Sequence, residues 1–147
     1  MVSDDGKDER KIVESKAVDT PQKVVVGLIE KVKIVGESIV EADAIMDTGA
    51  TTTSVDINIA KRAELGPILG TVKVKSKTAS EGYTRRIKVK AIIEIMGKLI
   101  PVVVNIQDRQ NMYTPILIGR DVLHSNFIVD VEKTHKSKKI NDIKNRD

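Results

Sequence analysis

Ala44-Ile45-Met46-Asp47-Thr48-Gly49-Ala50-Thr51-Thr52-Thr53-Ser54 is the stretch whose reading decides the fold. An apolar strand ends on an acid, and a turn of small residues follows. Gly49 lets the backbone turn tightly, so that amides approach the carboxylate with no side chain between them. Thr48 supplies a hydroxyl that can lock the loop. Asp47 is thereby held in one rotamer at the end of a rigid strand, as a catalytic group requires. Taken alone, the same residues also describe an ordinary Asx turn after a strand.

Outward from this segment the chain repeats short β-branched runs. They cover 24–34, 39–46, 72–77, 87–95, 99–106, 116–118 and 127–131. Val72 and Val74 alternate with Lys73 and Lys75, the pattern of a half-buried strand. Gly36-Glu37, Gly49, Gly70, Ser80-Glu81-Gly82, Gly97-Lys98 and Gly119 separate the runs. Strands spaced about ten residues apart predict a small, strongly curved all-β domain, barrel or sandwich. One helix is expected after Ser54, where Val55, Ile59 and Ala63 fall at i, i+4 and i+8, with Asp56 as its cap and Gly66-Pro67 as its stop. A single helical turn is expected after Gly119.

Composition narrows the function. With 147 residues the chain holds one domain, expected over 21–132, between a flexible polar segment at 1–20 and a basic flexible tail at 133–147. Tyr83, Tyr113 and Phe127 are the only aromatics, which argues against base-stacking RNA modules. The absence of cysteine excludes thiol nucleophiles, disulfide scaffolds and Cys-ligated zinc. His124 and His135 are the only imidazoles, so no metal and no cofactor are expected. No apolar run is long enough to span a membrane, and a cytoplasmic location is the expectation. The net charge is +4, with the last sixteen residues carrying six basic and three acidic groups. Such a tail reads as a solvated end, and nucleic acid is not an expected partner.

About seventy residues after Asp47 comes Ile116-Leu117-Ile118-Gly119-Arg120-Asp121-Val122-Leu123, an apolar run, a Gly and a short helical start. An apolar strand into Asp-Thr-Gly-Ala followed by this late segment resembles the retropepsin-like aspartic proteases. Further matches are Ser80-Glu81-Gly82, Arg85-Arg86-Ile87, Asp108-Arg109-Gln110-Asn111-Met112, Pro115 to Arg120 and Phe127-Ile128-Val129-Asp130. They resemble a bacterial and archaeal family labelled ATP-dependent zinc proteases, whose RimB-like members are associated with the glutamate ligase RimK. The chain offers that label neither a zinc ligand set nor a Gly-rich phosphate loop.

The resemblance implies an all-β, small closed barrel with one or two short helices. It makes Asp47 the acid–base residue of an aspartic endopeptidase, positioned by Thr48, Gly49, Ala50 and Gly119. With one Asp-Thr-Gly per chain, the second carboxylate comes from a homodimer. Compared with viral relatives, two acids are replaced by Thr51 and Thr52, no Gly-rich flap tip is present, and the ends are polar. A dimer not held by the terminal strands is therefore expected. The loss of two acids beside a retained Arg120 implies a positive cleft suited to acidic or glutamate-rich peptides. Thr51, Arg85, Arg86, Arg109, Tyr113 and Arg120 are the substrate-binding candidates. For Arg109 and Arg120 the competing reading is surface pairing with Asp108, Asp121 or Asp130. Tyr113 can equally be a packed loop anchor. A catalytically silent module that binds acidic peptides is the alternative function.

Overall fold

A computed structural model describes residues 22–77 and 79–134. The flexible segment expected at 1–20, most of the expected tail and His135 lie outside the described residues. Among the described residues there are nine strands: β1 (Val24–Val26), β2 (Ile29–Val35), β3 (Ile39–Met46), β4 (Ser54–Asp56), β5 (Ile68–Lys75), β6 (Tyr83–Ile95), β7 (Lys98–Gln107), β8 (Ile116–Ile118) and β9 (Phe127–Val129). Two short helices accompany them, α1 (Ile57–Arg62) and α2 (Arg120–Leu123).

The main sheet runs β2-β3-β8-β4-β7-β6-β5, and β2 pairs again with β6 through Lys33 and Glu94, Ile34 and Ile93, and Val35 and Ile92. That second pairing closes six strands into a barrel and leaves β5 as an appended edge strand. Closure removes the exposed edges that an open sheet of this size would carry. Alternation supplies the core: Val89, Ala91, Ile93 and Ile95 point inward from β6 and meet Val32, Ile34, Val40, Ala44, Val55, Val104 and Ile116. Ile59 and Ala60 of α1, its C-cap Ala63, and Phe127 join the same core. With so few aromatics, branched aliphatic side chains fill the interior.

Two features depart from the pattern read in the sequence. The apolar run from Val24 to Ile34 is two strands, because the chain turns at Gly27. There β1 leaves its parallel partner β9, in which Val24 faces Phe127, and β2 enters the barrel. The Lys133 carbonyl occupies the place a Cβ on Gly27 would take, and it accepts the Leu28 N–H at 2.8 Å. The body therefore continues past residue 132. The second departure is β4. Its three residues precede the helix, and Val55 sits in the ladder between β8 and β7 rather than in a helical turn.

Candidate active site

Asp47 stands where β3 ends. Met46 N–H donates to the Leu28 carbonyl and Asp47 N–H to the Ile118 carbonyl, both at 2.8 Å, so the strand end is anchored on two sides. The chain then turns: Gly49 N–H donates to Asp47 Oδ1 at 2.9 Å, and Ala50 N–H to the Asp47 carbonyl at 3.2 Å. One carboxylate oxygen is thus fixed by the backbone of its own loop. Asp47 and Ala50 are half-buried, while Thr48 and Gly49 are exposed.

The loop is clamped by the late segment. Arg120 N–H donates to the Ala50 carbonyl at 2.8 Å, and Asp121 N–H to the Thr51 carbonyl at 3.3 Å. Gly119 passes so close to Thr52 that a Cβ would lie 2.6 Å from its carbonyl oxygen. Buried Thr53 is the knot. Its hydroxyl donates to Asp121 Oδ1 at 2.7 Å and accepts the Gly119 N–H at 3.1 Å, while its own N–H donates to Asp121 Oδ2 at 3.1 Å. The sequence reading singled out neither Thr53 nor Asp121 for this role. The available signal was Asp121, two residues after the Gly that must approach the loop.

Behind the loop lies a polar cluster that patterning did not reveal. Buried Asn105 on β7 donates to Thr52 Oγ1 and to the Thr53 carbonyl, and accepts from Ser54 Oγ and from Arg86. Arg86 thus ties the β5–β6 hairpin to the loop that carries Asp47. Arg109 is 7 % exposed, and its Nε donates to the Thr114 carbonyl at 3.1 Å. Burial holds the Arg109 guanidinium below the ordinary arginine range and Arg86 pushes the same way, while Asp56 and Asp47 oppose both. Burial also lowers Arg86. Arg109 therefore feels the charges of Asp47, Asp56 and Arg86.

Asp56 serves two elements. Its Oδ2 accepts the Asn58 N–H at 2.9 Å, which caps α1, and its Oδ1 accepts the Arg109 N–H at 2.7 Å. Asp56→Ala removes the cap and strands a buried donor, an expected loss of about 2 kcal/mol in urea unfolding.

The other candidates fall in different places. Arg120 is exposed, and it donates to the Thr48 carbonyl at 3.2 Å and to Thr51 Oγ1 at 3.3 Å, which leaves other guanidinium donors facing outward. Neither it nor Arg109 makes the surface pairs with Asp108, Asp121 or Asp130. Arg85 is exposed on the opposite face of β6 from Arg86. Tyr113 is 57 % exposed, so it is not a packed anchor; Thr114 beside it is the buried residue. His124 is exposed, with its ring Nδ1 3.0 Å from Ser125 Oγ. Among the described residues no three His, Cys, Asp or Glu side chains come together to hold a metal. No helix among them is long and apolar enough to cross a membrane.

The family model described as RimB-like, retropepsin-like aspartic endopeptidase RimB, matches residues 58–139, more than half of the chain. The chain belongs to the RimB-like family. The match begins after the Asp47 loop and does not include it. A Legionella pneumophila protein of unknown function, Lpg0085, is 20 % identical, with a TM-score of 0.54 over 77 % of this chain and 97 % of that one. The EIAV protease, solved with the inhibitor HBY-793, is 19 % identical, with a TM-score of 0.52 over 65 % of this chain and 83 % of that one. At these identities the likeness is one of fold: the RimB-like chain has the barrel of a retroviral protease. No curated protein matches it at a significant level.

Proposed function

We propose that the protein is an aspartic endopeptidase acting in the cytoplasm, with Asp47 as its acid–base residue. The observation that carries this reading is the Asp47 loop itself. Its carboxylate is fixed by the Gly49 N–H, at the anchored end of β3, in a loop clamped by Gly119 and Asp121. In a homodimer, Asp47 of a second copy faces the first across one water. Two carboxylates ~3 Å apart cannot both ionise, so they share one proton. The charged carboxylate takes a proton from water as its oxygen attacks the peptide carbonyl carbon, and the protonated one donates to the carbonyl oxygen. Collapse of the tetrahedral intermediate breaks the C–N bond, and the amine leaves with a proton.

The substrates we assign are acidic or glutamate-rich segments. Arg86 and Arg109 supply positive charge beside the loop, and Thr51 and Thr52 are neutral there. An arginine grips a carboxylate through two parallel hydrogen bonds. Arg86→Gln is therefore expected to raise KM for a Glu-rich peptide by about tenfold with little change in kcat. Added salt is expected to act in the same direction. A preference for Lys-rich peptides would reject the substrate assignment. Binding of acidic peptides without any cleavage by the parent would leave a binding module instead.

A further inference from the structure

The β5–β6 hairpin carries charge that the Asp47 site does not use. Val72 and Val74 on β5 and Thr84 and Arg86 on β6 are half-buried and share the face tied to Asn105. Lys73, Lys75 and Arg85 are exposed and point the other way. Lys73 lies directly opposite Arg85, and Lys75 opposite Tyr83. The Tyr83 ring is flanked by cations, with Lys73 Nζ 4.5 Å and Arg85 Cζ 5.9 Å from its centroid. Among the described residues none of these three cations is within ion-pair distance of a carboxylate. Like charges placed directly across a ladder destabilise it, so this face is strained in charge until an anion covers it.

We propose that this basic face of the hairpin is a docking surface for an extended acidic polypeptide segment, separate from the Asp47 loop. Lys73 and Lys75 are ~7 Å apart along one strand, the spacing of carboxylates two residues apart on an extended peptide. Among the described residues β5 ends the sheet, so its free edge offers backbone hydrogen bonds to an added strand. A second copy is a poor occupant, because pairing β5 with β5 sets lysine near lysine. Single-stranded nucleic acid relies on open ring faces for stacking, and here Lys73 and Arg85 already flank the Tyr83 ring.

The test uses full-length Asp47→Asn protein, so that binding is read without cleavage. Fluorescence anisotropy follows three probes: a ten-residue peptide alternating Glu and Val, its Gln-Val counterpart, and an oligothymidylate of similar charge. The Glu-Val peptide is expected to bind, and the Gln-Val peptide not to. Combined Lys73→Gln, Lys75→Gln and Arg85→Gln is expected to weaken binding by roughly tenfold or more, at a few-fold per exposed contact. Lys73→Gln alone, at an exposed position, is expected to give part of that loss should the triple variant fold poorly. Unchanged affinity in Lys73→Gln overturns the proposal. So does tighter binding of the oligothymidylate that the same substitution abolishes. Weakening by Arg86→Gln with no effect of the Lys73, Lys75 and Arg85 substitutions would place the peptide in the cleft, sinking this surface while leaving the substrate assignment above intact.

Discussion

Asp47→Asn is expected to lower peptide hydrolysis by about a thousandfold or more, because asparagine can neither take a proton from water nor share one with its twin. Stability is expected to move by less than about 1 kcal/mol, since asparagine keeps the side-chain oxygen that accepts the Gly49 N–H. The measurement is single-turnover cleavage of a Glu-rich peptide beside a urea unfolding curve. Mixing the variant with the parent sharpens it. If two copies share one site, dimers with one Asn are dead, and activity falls faster than the fraction of parent chains. Activity that falls linearly would show each Asp47 working alone. Full activity in the pure variant would remove the endopeptidase reading.

Gly119→Ala is expected to damage the candidate site directly, at about 3 kcal/mol of stability. A Cβ there would sit 2.6 Å from the Thr52 carbonyl oxygen and 2.7 Å from its carbon. Both are backbone atoms of the clamped loop and have no rotamer to change. The Gly119 backbone is extended, a conformation that alanine adopts freely, so the cost is steric. Displacing Thr52 also strains the Thr53–Asp121 pair, so activity is expected to fall with stability. A shift of the urea midpoint at unchanged slope reads the first effect. An alanine variant as stable as the parent would show that the loop gives way easily.

The sequence made the barrel legible because burial on one face writes a two-residue period. Strands β3, β6 and β7 stand close to where alternation put them. Strand β4 was hidden because three residues are too few to show a period, and Val55 happens to fall in helical phase with Ile59 and Ala63. Asp47 was legible because a turn motif is local. The arginines were not, since a long side chain takes its direction from whatever closes over it. Arg86 and Arg85 are neighbours in sequence, yet one bonds Asn105 and the other faces solvent. Arg120 holds Thr48 and Thr51, a contact possible only once Gly119 lets two distant segments meet.

The pairing of β1 with β9 sets a timetable. Val24 and its partner Phe127 are made roughly a hundred residues apart. At typical synthesis rates the interval is on the order of 5–20 s. The segment that holds the Asp47 loop, from Ile116 to Asp121, arrives in the same late window. A nascent chain therefore carries its carboxylate on a loop with nothing to fix it until residues 116–121 have been made and supply the clamp. Long-range closure of this kind is slow, and the hydrophobic strands stay exposed while they wait. The same topology delays the organisation of Asp47 until that distant segment has been made.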